Sequence, residues 1–121
     1  MPDIRHRRRP EAWEEQLRKG GLELAILLSM ASSPRRYGLE ILRTLEEETE
    51  LVVTEGTIYP ILGRLARDGL LEAEWVQETK HPRKYYRLTR AGRRRLEDMI
   101  SIWSNFTHKI DRLIDLARER K

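Results

Sequence analysis

Cysteine is absent from this chain of 121 residues, which removes disulfides, thiolate zinc sites and cysteine nucleophiles together. Histidine is scarce, and His6, His81 and His108 are scattered. Long apolar runs are also missing. The longest, Leu24 to Leu28, falls far short of the roughly 18 residues that a membrane span requires. Arg5, His6, Arg7, Arg8, Arg9 and Pro10 precede a polar stretch, so the N-terminus does not read as a secretory signal. No glycine-rich phosphate loop, nucleophile–base pair or metal quartet is present, so neither an enzyme nor a bound cofactor is expected. These absences point to one soluble, cytoplasmic domain with no membrane partner.

What is abundant is charge. The chain has 24 Lys+Arg against 20 Asp+Glu, a formal net charge of +4, and the excess is concentrated. Segment 20–80 is acidic on balance, whereas 81–95 contains Arg83, Lys84, Arg87, Arg90, Arg93, Arg94 and Arg95 and no acid. A local positive field of this kind attracts a polyanion, because neutralising phosphates releases condensed counterions. A solvated helix face is the blander reading of the same run.

Hydrophobic spacing orders the elements. Residues 1–10 read as a basic arm, with entry into a minor groove and a disordered tail as two equal readings. A helix opens at Pro10 with acids in its first turn, Trp13 and Leu17 share a face, and Gly20-Gly21 is expected to interrupt it. Leu22 to Met30, apolar on nearly all sides, reads as a central core helix. Ser32-Ser33-Pro34 ends it, and Tyr37, Ile41, Leu42 and Leu45 form the inward stripe of the next helix. The Glu46–Glu48 run and Glu50 face solvent. After the connector Leu51-Val52-Val53, Thr54 caps a third helix that ends at Gly69 and buries Ile58, Leu62 and Leu65. Leu71, Ala73 and Trp75 alternate with Glu72, Glu74 and Val76 as a half-buried strand, and Tyr86 and Leu88 form the inward pair of a second strand. Thr89 caps a final long helix. The fold class is mainly α: a winged helix-turn-helix of three helices plus a two-stranded wing over 11–89, followed by a long C-terminal dimerisation helix over 90–121.

The third helix carries the most information. At helical pitch Gly56, Pro60, Gly63 and Arg67 lie opposite the buried positions, flanked by Thr57 and Arg64 on one side and Tyr59 on the other. Interior glycine costs about 1 kcal/mol and proline up to ~3 kcal/mol, so a bare outer strip needs a reason. Close approach to a groove wall is one; a mere kink is the other. On the first reading the helix over 54–69 enters a major groove, where Thr57 and Tyr59 reach base edges beside Pro60, and Arg64 and Arg67 meet phosphates. The wing over 79–84 lies on the backbone, with Lys80, His81, Arg83 and Lys84 at its tip and Arg87 on its outer strand face.

Three motifs then carry a family resemblance. Leu17-Arg18-Lys19-Gly20 with Glu23–Leu28 and Tyr37–Ile41, then Thr54–Leu65 with Asp68-Gly69-Leu70, then Lys84–Gly92 resemble the PadR family of bacterial transcriptional regulators in content and order. The single C-terminal helix is similar to that of its shorter subgroup. The resemblance implies a homodimer whose C-terminal helices embrace the partner, bound to a palindromic operator in double-stranded DNA, usually as a repressor. It also places Thr57, Tyr59 and Arg64 on the reading helix. Gly63 departs from the pattern, which has a longer and often basic residue there.

The last helix carries a seam at Leu96, Ile100, Trp103, Phe106, Ile110, Leu113 and Ala117, spaced as in a coiled coil. So small a domain cannot bury it alone, so a second copy is expected on it. Trp103 and Phe106 read first as packing and second as contacts for a small aromatic effector, which the family also implies. His108, Asp111 and Asp115 read as a solvated ion pair rather than a metal site. The competing function is a winged-helix protein-interaction module or scaffold without DNA binding.

Overall fold

Residues Glu11 to Ala31 form one unbroken helix, α1, in a computed structural model that describes residues 11–77 and 80–119. The break expected at Gly20-Gly21 does not occur. Local propensity costs about 1 kcal/mol per glycine, and tertiary contacts on both sides outweigh it. Downstream, Leu22, Leu24, Ile26 and Leu27 are buried in the core. Upstream, the Arg18 guanidinium donates a hydrogen bond to the Val52 carbonyl, tying the exposed half of the helix to the body. The basic arm at 1–10, Thr79 of the wing and the last two residues of the C-terminal segment lie outside the described residues.

Strand β1, Arg36–Tyr37, separates α1 from α2, Gly38–Thr49. Helix α3, Glu55–Arg67, follows the irregular connector, then β2 (Leu71–Gln77), β3 (Pro82–Leu88) and α4 (Arg90–Glu119). The sheet has three strands in the order β1-β3-β2, one more than the two-stranded wing expected from the sequence. β1 pairs with β3 antiparallel, Arg36 opposite Tyr86 and Tyr37 opposite Tyr85. Two residues are too few to show an alternating pattern.

Ile26, Leu27, Ile41, Ile58, Leu62 and Leu65 are wholly buried, and Leu70, Leu71, Tyr86 and Leu88 close the core from the sheet side. Each such side chain contributes about 1.5–3 kcal/mol relative to exposure. The junctions follow the residue chemistry. Thr54 is the N-cap of α3 and Gly69 takes φ +78° after its end. Thr89 Oγ1 accepts from the Gly92 amide at 2.9 Å and donates to the Gly69 carbonyl at 2.6 Å, fastening the start of α4 to the end of α3. Most of the hairpin projects beyond the helices. Ala73 and Trp75 are therefore exposed rather than half-buried, because only the Leu71–Leu88 end of the strand pair covers core. Tyr85 is buried as well as Tyr86: Tyr37 packs edge-on against it at 5.3 Å, and the Arg35 guanidinium lies 4.1 Å from its ring centroid.

Candidate nucleic-acid interface

Gly56, Pro60 and Arg67 are exposed along the outer strip of α3, and Gly63 is half-buried because the Arg67 guanidinium folds back beside it. A side-chain carbon on Gly63 would sit 3.6 Å from Arg67 Nη1. The two flanks differ. Thr57 faces the first half of α1 across an open cleft lined also by Glu11, Glu14, Glu15, Arg18 and Thr54, and its hydroxyl accepts from Thr54 Oγ1 at 3.1 Å. Arg64 reaches the same side and pairs with Glu23 of α1 at 3.1 Å. Its charge is therefore shared with an acid, which leaves Arg67 as the helix's cation without an acidic partner among the described residues. On the opposite flank the Tyr59 ring lies over Gly38, so close that a side-chain carbon there would be 2.5 Å from Tyr59 Cε1. Burial raises the Tyr59 phenol above its ordinary value, and the Glu55 carboxylate adds to the shift. Tyr86 is raised by burial first and by Tyr59 second, placing these phenols together where α3 meets the sheet.

The wing cations separate by strand register. Val76 pairs with Arg83 and Trp75 with Lys84, and successive residues point to opposite faces. Arg83 is half-buried on the outer face, its guanidinium 4.6 Å from the Tyr37 ring centroid. On the same face Arg87 is held by Glu72 at 3.2 Å and Glu74 at 3.7 Å. Lys84 projects from the other face, the one that covers the core further along, with its ammonium 5.6 Å from the Trp75 ring. Lys80 and His81 are exposed at the tip. Arg90, Arg93, Arg94 and Arg95 are also exposed, in the opening turns of α4. Cations are disfavoured at that end of a helix, so this cluster adds a positive field at a local cost.

Along α4, Leu96 is 4 % exposed and belongs to the domain's own core, and Ile100 is half-buried. The open surface starts at Trp103 and continues through Phe106, Ile110, Leu113 and Ala117, widened by Ile102, Ile114 and Leu116. Trp13, Leu17 and Leu28 of α1 are exposed too. Between the helices lies an apolar groove of about 350 Å³ lined by Gly21, Leu24, Ala25, Leu28, Ile100 and Trp103; Phe106 is outside it. His108, Asp111 and Asp115 are exposed, and among the described residues no group of three or more His, Asp or Glu is placed to hold a metal ion. Nor is any described helix long and apolar enough to cross a membrane.

Sequence reasoning missed Glu23, Gly38 and Trp75 as members of this surface. Trp75 alone had a signal, a large aromatic in a strand that also carries Glu72 and Glu74.

The arrangement is shared with known proteins. The model of the Transcriptional regulator PadR-like family matches residues 26–98. A PadR-like transcription factor from Bacteroides fragilis is 38% identical and superposes with a TM-score of 0.71 over 84% of this chain and 98% of its own. A PadR family transcriptional regulator from Eggerthella lenta is 29% identical, with a TM-score of 0.78 over 86% of this chain and 90% of its own. An uncharacterised protein of Lysinibacillus sphaericus is 29% identical over 98 residues, 78% of this chain and 86% of that one. With a winged helix, a bare-faced third helix and a concentrated basic surface already in place, the chain belongs to the PadR-like family of transcriptional regulators.

Proposed function

We propose that this DNA-binding regulator acts as a homodimer on a palindromic operator, with α3 in the major groove and the wing on the flanking backbone. Repression by occupying the operator is the mode of action. The observation that carries the reading is the outer strip of α3, where Gly56 and Pro60 put no long side chain between Thr57 and Tyr59 and Gly63 is covered by the Arg67 side chain alone. A groove wall can approach bare backbone where long side chains would hold it off, and the two flanking hydroxyls then meet base edges. Lys80, Lys84 and Arg67 serve as phosphate contacts, and they position the protein without reading sequence. Arg64 and Arg87 contribute less because each is already paired with acid. The exposed apolar surface of α4 supports pairing with a second copy. The groove beside Trp103 favours one addition, a small aromatic effector stacked on that indole.

Selection of bound fragments from random duplex DNA tests the function. A two-fold symmetric consensus, with half-sites about one helical turn apart, is the expected result. Affinity for the selected site should fall with salt at a log–log slope near −0.9 per phosphate neutralised. Interaction only with protein, insensitive to salt, would instead favour a protein-docking module. No binding to any duplex at low ionic strength would refute the proposal.

A further inference from the structure

The largest side chain on the wing is Trp75, 65 % exposed, and neither the core nor the α1–α4 groove uses it. Its strand face is defined by register: Trp75 pairs with Lys84, and two residues nearer the base Ala73 pairs with Tyr86. Tyr86 is buried on the core side, 5 % exposed. The Lys84 ammonium stands between the two aromatics, 5.6 Å from the Trp75 ring centroid and 5.9 Å from that of Tyr86. The strand face that presents Lys84 and Trp75 is thus the one that, nearer the base, packs Tyr86 into the core. The opposite face of the same strands carries Glu72 and Glu74 together with Arg83 and Arg87, so its acids and cations balance. Among the paired residues the Trp75 face has Lys84 and no acid, so it joins a cation to an apolar plane.

We propose that Trp75 is a DNA contact: its indole packs on a deoxyribose of the backbone beside the major groove, while Lys84 takes the adjacent phosphate. This rests on the DNA-binding reading above and names a residue outside the cations considered there. The chemistry suits a sugar–phosphate chain. The ring covers apolar C–H surface, its N–H can donate to a phosphate oxygen, and the ammonium supplies the opposite charge. The contact is blind to base identity, so it adds affinity without adding preference.

The test uses the full chain labelled with fluorotryptophan, whose three indoles give separate fluorine resonances, with Trp75 assigned by its loss in Trp75→Phe. Anisotropy of a fluorescent duplex reports binding independently. Saturating wild type with duplex at low salt should shift and broaden the Trp75 resonance. Trp75→Ala should weaken binding about tenfold, alike for the selected operator and a random duplex and with an unchanged salt slope. Trp75→Phe should retain most of the affinity, and Lys84→Ala should lower the salt slope by about one phosphate. If the duplex binds while the Trp75 resonance and the Trp75→Ala affinity stay unmoved, the contact is refuted and the DNA-binding reading survives. If Trp75→Ala instead converts dimers to monomers on a sizing column, a second copy covers the indole and the proposal is overturned. If wild type binds no duplex, both readings fall.

Discussion

Replacing Gly92 by alanine sets two calculable effects against each other. In an open helix the change gains about 1 kcal/mol from propensity alone. At Gly92 the added carbon would sit 2.0 Å from the Leu70 carbonyl oxygen and 3.0 Å from its carbon, both backbone atoms, and 3.2 Å from Leu88 Cδ2. Ordinary contact lies at about 3.5 Å, so α4 has to lift by more than an ångström off the end of α3. Overpacking of this kind costs roughly 1–3 kcal/mol, and sometimes more. The lift also strains the bonds made by Thr89, whose amide donates to the Leu70 carbonyl at 3.1 Å and whose hydroxyl donates to Gly69 at 2.6 Å. A weakened hydrogen bond adds about 0.5–1.5 kcal/mol. The net expectation is a loss of about 0.5–3.5 kcal/mol, or a midpoint lowered by up to roughly 15 °C. Urea and thermal unfolding followed by circular dichroism would measure it, at one fixed protein concentration because the proposed dimerisation would shift apparent stability. Gly20→Ala is the internal control. Nothing lies within 4 Å of that position, so it should stabilise by up to ~1 kcal/mol. A Gly92→Ala protein as stable as wild type would refute the packing of α4 described above.

Two further expectations concern other surfaces. Trp103→Asp places a carboxylate in the seam beside Gly21 and Ile100; it should yield monomers on a sizing column, and a persistent dimer would remove Trp103 from the interface. Tyr59 and Tyr86 should both titrate above the ordinary phenol value of 10.0, as followed by NMR of labelled tyrosine rings. Below that value the phenols are neutral in the folded and unfolded chains alike. As pH rises beyond it the unfolded chain ionises first, so stability falls through the raised folded values. Gly38→Ala, which displaces the Tyr59 ring, should return Tyr59 toward its ordinary value, and an unmoved titration would disprove the stacking on Gly38.

The sequence made the helix-turn-helix legible because each part repeats a period or uses a cap with a known geometry. Ile58, Leu62 and Leu65 are buried as their spacing requires. Gly69 takes the left-handed conformation and Thr89 caps α4. The bare strip of α3 was readable for the same reason, since pitch alone sets which residues oppose the buried ones. The failures have one cause in common, namely that local signals do not report distant partners. Gly20-Gly21 looked like a break because propensity ignores the Arg18–Val52 tie. The charges of Arg64 and Arg87 looked available because Glu23 and Glu72 are separated from them along the chain. Alternation assigned Trp75 to a face correctly, but no periodicity tells how far the core extends beneath that face. Leu96 fitted the seam by spacing, yet the domain claims it first.

The unbroken course of α1 has a mechanical consequence. Arg18 grips the strand of chain that leads into α3, and only three residues later Gly21 faces the Trp103 ring, 3.8 Å from where its own side-chain carbon would be. At 1.5 Å rise per residue these two attachments sit about 4.5 Å apart on a single rod. In the proposed dimer, the separation of the two α3 helices is then set by how the α4 surfaces mate, with no hinge between them to absorb an error. Operators whose half-sites are spaced a base pair too far or too near would be rejected by stiffness alone, before a single base is read.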